Sequence, residues 1–310
     1  MPLAVSESPD ASSCDLLCGE DAGDLADDSP GCCRSGDGEF SDDSDDISIA
    51  GFIEAEEGHA AGFAHPAQLR SDSLDPSSRR QAVAWILKVQ AYYGFHDLTA
   101  YLAVNYMDRF LASHRLPQNV WALQLLSVAC LSLAAKMEET FVPTLLDLQV
   151  EGAKFIFEPR TIFRMELLVL SALGWRLQSV TPFTYIDFFA KKVDLSGKCA
   201  NYLVSRASKI LLETMHDINF LSQCPSSLAA AAIICATEGK DLAFINTRVA
   251  VSWSIGLTED GISTCYKLMQ RVIARVTLRK PQKVSSAYFP PLKRRKISNN
   301  CQQADDAKDK

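Results

Sequence analysis

Cysteine and histidine are the residue types in this chain that could hold a metal ion or act as nucleophiles. The 310 residues include ten cysteines and five histidines. Cys14, Cys18, Cys32 and Cys33 do not form paired C-x-x-C spacings, and the nearest histidine is His59, so we predict no zinc site. No serine or cysteine occupies a nucleophile elbow, and the sequence has no glycine-rich phosphate loop. We therefore expect no catalytic site, no metal and no cofactor.

Peptide recognition is a second kind of chemistry, and the segment DLLCGED offers it through Leu16, Cys18 and Glu20. In an extended chain these three side chains alternate onto one face. The two small apolar groups can then enter pockets while the carboxylate accepts hydrogen bonds from amides. Asp15 and Asp21 favour a partner with a basic rim. The segment is predicted to bind another protein.

The surroundings of this segment are strongly acidic. Residues 1–60 hold 17 acidic residues and one basic residue, Arg34, whereas the remainder holds 21 acidic and 30 basic residues. Residues 1–60 are also rich in Ser, Asp and Gly and poor in aromatic residues, so burial cannot offset the entropy lost on ordering. We predict a disordered acidic tail over 1–60. The scattered cysteines favour a reducing compartment.

The elements that must position any site are helices. DPSSRRQAVAWILKVQAYYG begins at Asp75 and Pro76, carries apolar residues at helical spacing and stops at Gly94. HDLTAYLAVNYMDRFLASH predicts a second helix, and EPRTIFRMELLVLSALGW predicts another that begins near Pro159 and ends at Gly174.

An uncharged run from Val120 through Ala135 lies between these helices. Its 16 residues are short for a membrane span, so they predict a buried central helix. After Thr181 and Pro182 the pattern recurs, with CPSSLAAAAIICATEG as a second Ala-rich central helix. Because strand signals are nearly absent, we predict an all-α fold with two repeats.

The end of the chain, residues 281–310, is predicted to be a disordered tail. It contains a basic cluster, Lys293, Arg294, Arg295 and Lys296, with no apolar period around it. Such a block is either a solvated basic tail or a nuclear import signal.

Four segments together carry a resemblance: RRQAVAWILKV, LTAYLAVNYMDRFL, LQLLSVACLSLAAKMEE and RMELLVLSALGW. In this order and spacing they resemble the first cyclin box. The resemblance implies two tandem five-helix cyclin folds, which we assign to residues 61–180 and 181–280. With Leu-x-Cys-x-Glu ahead of the box, the chain is most similar to plant D-type cyclins.

The resemblance implies a kinase-binding constellation at Arg79, Asp108, Leu125, Lys136 and Glu166. In cyclins, the equivalent lysine and glutamate hydrogen-bond main-chain groups of a cyclin-dependent kinase.

The resemblance also implies an apolar groove that docks Arg-x-Leu segments of substrates and kinase-inhibitor proteins. It falls on Gln81, Ala82, Trp85 and Gln124. Many cyclins carry larger aliphatic residues at the first two positions and an aspartate at Ala84, so we expect a shallower groove here.

Function follows from the resemblance as an expectation. The chain is expected to be a non-enzymatic regulatory subunit that activates a cyclin-dependent Ser/Thr kinase. Leu16, Cys18 and Glu20 would recruit a retinoblastoma-related protein and so promote the G1/S transition. We expect a nuclear protein with a cytoplasmic pool, bound neither to nucleic acid nor to membrane. The alternative is a cyclin-fold transcription scaffold that binds DNA, but the acidic N-terminus lacks zinc-ribbon spacing.

Overall fold

Helices and short 3-10 turns make up the regular structure, with no β-strand, in the part of the chain that the computed structural model describes. That part comprises residues 42–59, 76–117, 119–149, 154–238 and 246–278. The α-helices are α1 (Asp42–His59), α2 (Pro76–Tyr93), α3 (Asp97–Ser113), α4 (Val120–Glu138), α5 (Pro159–Ala172), α6 (Phe183–Val193), α7 (Ala200–Thr214), α8 (Pro225–Thr237), α9 (Thr247–Ala250) and α10 (Glu259–Leu278). The 3-10 turns are Asp147–Gln149, Ile218–Ser222 and Val251–Trp253.

Helix ends lie where the local signals place them. α2 begins at Pro76 and α5 at Pro159, because a proline in the first turn needs no intrahelical donor. α2 is closed by Gly94, which adopts φ +69° and is followed by a 3.1 Å bond from the Phe95 amide to the Gln90 carbonyl. Glycine reaches this left-handed conformation without steric cost.

Two apolar helices form the centres of two cores. In α4 every residue from Leu125 through Ala135 is buried, and α2, α3 and α5 pack around it. In α8 every residue is buried, and α6, α7 and α10 pack around it. The prediction of an all-α fold with two repeats, each built on a buried central helix, is confirmed.

The prediction of a disordered tail over residues 1–60 is wrong for residues 42–59, which form α1. Ile49 and Ile53 join the core of the second repeat. Glu56 is also buried, and its carboxylate accepts hydrogen bonds from the backbone N (2.9 Å) and Oγ (2.7 Å) of Ser226 in the first turn of α8. Tertiary contacts thus order a segment whose composition opposes order, because Ile49 and Ile53 are buried and the carboxyl oxygens of Glu56 satisfy donors at a buried helix N-terminus.

Candidate functional site

Lys136 and Glu166 form an ion pair between the last turn of α4 and the middle of α5. The Lys136 ammonium lies 2.7 Å from Oε1 and 2.8 Å from Oε2 of Glu166. The glutamate side chain is 3% exposed and the lysine side chain 43% exposed. The lysine therefore faces solvent while the carboxylate behind it holds it in place.

Exposed apolar side chains lie close to this pair along α4 and α5. Phe163 (55% exposed) and Leu167 (42%) lie on α5, three residues before and one residue after Glu166. Met137 (47% exposed) follows Lys136 directly. Large apolar side chains that remain exposed near a charged pair are a feature of protein-binding surfaces. Sequence reasoning did not select these three residues, because α5 is apolar on several sides and exposure cannot be read from spacing.

Glu139 anchors the end of α4, three residues beyond Lys136. Its carboxylate accepts hydrogen bonds from the His96 backbone N (2.8 Å) and from Thr99 Oγ1, and it lies 3.0 Å from His96 Nδ1. Desolvation opposes ionisation, but the hydrogen bonds from Thr99 and His96 outweigh it and lower the pKa of Glu139. The ionised carboxylate therefore joins the end of α4 to the start of α3. The sequence did not indicate this role for Glu139, because its partners His96 and Thr99 lie 43 and 40 positions earlier in the chain.

Arg79 and Asp108 form a second ion pair, but it lies in the interior. Nε and Nη2 of Arg79 donate to the two oxygens of Asp108 at 2.8 and 2.7 Å, and Nη1 donates to the Met215 carbonyl at 2.9 Å. Both charged residues are 3% exposed. Burial lowers the pKa of Arg79, yet the charge and hydrogen bonds of Asp108 outweigh it and raise that pKa overall.

The assignment of Arg79 and Asp108 to a kinase-contacting surface is therefore corrected, because side chains this deeply buried are not available to a partner. They connect α2 and α3 of the first repeat to the residue that follows α7 in the second.

Leu125 also lies away from the Lys136–Glu166 pair. It is 7% exposed and precedes Lys136 by eleven positions on α4, which separates the two by about 16 Å along the helix axis. Of the five residues assigned to kinase binding, only Lys136 and Glu166 form a pair that reaches the surface. Arg79 and Asp108 form a separate pair in the interior, and Leu125 lies apart from both pairs.

The four residues assigned to a substrate-docking groove lie on α2 and α4, which pack together. Gln81 is exposed, Ala82 is buried, and Trp85 is half-buried against the first core. Gln124 Nε2 donates to the Phe155 carbonyl at 3.0 Å. Docking at this position stays a prediction.

Two predicted motifs lie outside the described residues: Leu16, Cys18 and Glu20 near the start, and the cluster Lys293, Arg294, Arg295 and Lys296 near the end. Within the described residues no cluster of His, Cys, Asp and Glu is placed to hold a metal ion. None of the described helices is long and apolar enough to cross a membrane.

Comparisons with known proteins match these observations. The cyclin N-terminal domain family matches residues 51–178 and the cyclin C-terminal domain family matches residues 180–302. Cyclin-D2-1 of Oryza sativa subsp. japonica is 54% identical over 268 residues, which cover 83% of each chain. Cyclin-D1-1 of Arabidopsis thaliana is 46% identical over 325 residues and covers 96% of this chain and 93% of its own length. The chain belongs to the plant D-type cyclins.

Solved structures share the fold of this D-type cyclin at low identity. A viral cyclin from herpesvirus saimiri aligns with a TM-score of 0.61 and 14% identity over 72% of this chain and 96% of its own. The yeast RNA Pol II CTD kinase CTDK-1 complex contains a chain that aligns with a TM-score of 0.53 and 17% identity, over 74% of this chain and 79% of that chain.

Proposed function

We propose that this D-type cyclin binds a cyclin-dependent Ser/Thr kinase through the surface around Lys136 and Glu166 and activates it. One observation carries the proposal: a half-exposed lysine is held by a buried glutamate, and Met137, Phe163 and Leu167, within three positions of the pair along α4 and α5, are exposed. A chain of the same fold forms part of the yeast RNA Pol II CTD kinase CTDK-1 complex, which supports a kinase as the partner.

Activation on this surface works by differential affinity. A kinase is active when a glutamate of its mobile helix pairs with the lysine that contacts the phosphates. A cyclin that binds this arrangement better than the inactive one shifts the kinase toward it, and no other property of a partner can do so. In this cyclin, the half-exposed Lys136 would hydrogen-bond kinase main-chain groups, and the buried Glu166 would hold the ammonium in position. Phe163 and Leu167 would cover the mobile helix.

The test is a double substitution, Lys136→Ala with Glu166→Ala. Both partners are changed because removal of the lysine alone would leave a buried carboxylate unpaired. We expect at least about a 30-fold loss of activation of a co-purified cyclin-dependent kinase acting on histone, since truncation of a central contact commonly costs about 2 kcal/mol. If the folded double variant still activates the kinase, the assignment of kinase binding to the surface around Lys136 and Glu166 is refuted.

A second variant separates binding from folding. Phe163→Ser changes a side chain that is 55% exposed, so the fold should be unaffected while kinase binding weakens. Ile255→Ser, at a side chain of the second repeat that is 86% exposed, is the matched control and should leave binding unchanged.

We further propose that Leu16, Cys18 and Glu20 recruit a retinoblastoma-related protein and thereby promote the G1/S transition. The support is their alternation in the acidic segment DLLCGED. A tether raises the local concentration of substrate toward the mM range when its length suits the span. Changing all three residues to alanine should therefore slow phosphorylation of the full-length retinoblastoma-related protein and leave activity on a short peptide unchanged.

The matched control for this tether is the alanine substitution of Leu25, Cys32 and Glu39, which removes the same residue types from the same acidic region. Equal rates for both triple variants on both substrates, with unchanged capture of the retinoblastoma-related protein, would contradict recruitment by DLLCGED.

Two further assignments complete the proposal. The groove at Gln81, Ala82, Trp85 and Gln124 docks Arg-x-Leu segments of substrates and kinase-inhibitor proteins only weakly, because Ala82 offers little apolar area. Weak docking is checked by titrating an Arg-x-Leu peptide; submicromolar affinity would contradict it.

The basic cluster Lys293–Lys296 directs nuclear import, leaving a cytoplasmic pool, and its alanine variant should lower the nuclear fraction of a fluorescent fusion.

A further inference from the structure

A groove of about 520 Å³ opens between the end of α3, the start of α4 and one side of α5. Its floor consists of buried side chains that include Ala122, Leu125 and Met165. Its sides include Trp121, which is 42% exposed, and Leu168, which is 58% exposed. Two large apolar side chains thus remain open to solvent above an apolar floor, and contiguous exposure of this kind marks a binding surface.

The ionisable side chains around this groove are basic. The ionisable side chains that line it are His114 and Arg115, and no acidic residue does. Along α5, Arg160 and Arg164 precede Leu168 at four-residue spacing and are exposed, so they continue the same stripe.

The side chain of His114, at the edge of the groove, is held in place by its neighbours. Its ring stacks on Phe110 with centroids 4.9 Å apart, and Nδ1 lies 2.8 Å from Ser113 Oγ. Arg115, next to His114, gives this side of the groove a positive charge, which suits a ligand that brings carboxylates.

This groove is distinct from the surface around Lys136 and Glu166. Leu168 follows Glu166 by two positions, so the two side chains project about 200° apart around α5. Leu125 and Lys136 are about 16 Å apart along α4. A ligand in the groove therefore does not need the ion pair, and both surfaces can be occupied together.

We propose that this groove binds an acidic peptide segment of a partner protein. The segment places two or three large apolar side chains between Trp121 and Leu168, and its carboxylates face Arg115 and Arg164. The apolar floor carries the affinity, since buried anchors dominate such interfaces, whereas the basic rim selects acidic sequences and speeds association. An apolar floor offers nothing to a phosphate backbone, so the ligand is a peptide rather than a nucleic acid.

The test uses the full chain and a panel of fluorescent synthetic peptides of about twelve residues. Each acidic peptide carries large apolar anchors and has two counterparts: one with lysine in place of the acids and one with serine in place of the anchors. We expect saturable binding by acidic anchored peptides, at least about tenfold tighter than by either counterpart and weaker at higher salt.

Variants of the full chain locate the binding. Leu168→Ser should weaken the acidic peptides by at least about tenfold, and Arg115→Glu by at least about fivefold. Both changed positions are exposed, so the fold is retained. Ile255→Ser and Lys267→Glu make the same kinds of change on exposed positions of the second repeat and should leave the affinity unchanged.

The proposal is overturned if no acidic peptide binds better than its lysine counterpart, or if Leu168→Ser has no more effect than Ile255→Ser. Two other occupants are distinguishable. The variant Leu16→Ser, Leu17→Ser and Leu25→Ser removes apolar side chains from the chain's own acidic segment. If this variant binds the peptide tenfold more tightly, that segment fills the groove in the native chain and competes with the peptide. If Leu168→Ser instead converts a dimer to a monomer in sedimentation, a second copy fills it. Either result replaces the partner proposal.

Discussion

Removal of Arg79 tests whether the buried ion pair holds the two repeats together. Arg79→Ala deletes three hydrogen bonds of 2.7 to 2.9 Å, two to Asp108 and one to the Met215 carbonyl. It leaves Asp108, which is 3% exposed, as a buried charge without its partner. Breaking a buried pair from one side costs about 3–5 kcal/mol. With a urea m-value of about 2–3 kcal/mol/M, the unfolding midpoint should fall by about 1–2.5 M.

Two comparison variants make this result specific. Arg80→Ala changes the exposed neighbour on the same helix and should alter the free energy of unfolding by no more than about 0.5 kcal/mol. The double variant Arg79→Met with Asp108→Leu replaces both charges by apolar groups. It should recover most of the lost stability, because no unpaired charge remains buried.

The assay is urea unfolding at neutral pH, followed by far-UV circular dichroism and by tryptophan fluorescence. An Arg79→Ala midpoint equal to that of Arg80→Ala would refute a structural role. If such a stable variant also failed to activate the kinase, the assignment of Arg79 to the partner surface would be restored.

Two further predictions concern the docking of α1. Burial raises the pKa of Glu56 above its usual value near 4.5, so its contribution to stability is complete below that value and is lost as pH rises through the raised pKa. We therefore expect the native chain to lose stability relative to Glu56→Gln as pH rises from 4 to neutrality. The difference between their urea midpoints (native chain minus variant) should decrease over this range; a constant difference would contradict this. Gly256→Ala should destabilise by at least about 1 kcal/mol, because Gly256 has φ +93° and an added Cβ would lie 2.7 Å from Ile53 Cγ2. Gly51→Ala is its control: Gly51 lies in α1 with open space at its Cβ, so alanine should stabilise by about 0.5–1 kcal/mol. Thermal unfolding measures both, and no gain at Gly51 would argue against a helix there.

Local signals were sufficient for the helices of the two repeats. Pro76 and Pro159 start helices and Gly94 ends one, because the properties of proline and glycine act on the nearest few residues. The uncharged runs of α4 and α8 likewise predicted burial, since so many consecutive apolar residues have no stable place at the surface of a folded chain.

Motif order was sufficient to place Lys136 and Glu166 in one site, although they are 30 positions apart. It was not sufficient to separate them from Arg79 and Asp108, which share the same family pattern. Exposure distinguishes the two pairs, and exposure depends on which helices cover a residue. The Met215 carbonyl that completes the Arg79 contact comes from the other repeat, and no local pattern indicates it.

The sequence by itself therefore determined the helices, their order, the two buried centres and the family of the chain. Only the tertiary structure decided that α1 is ordered, that one of the two ion pairs is interior and the other open, and that Leu125 lies beneath a separate groove. The physical reason is the range of the forces involved. Capping and helical periodicity act within a few residues. Burial instead depends on segments that are far apart in the sequence. The pairing of Glu56 with Ser226, for example, brings together residues 170 positions apart.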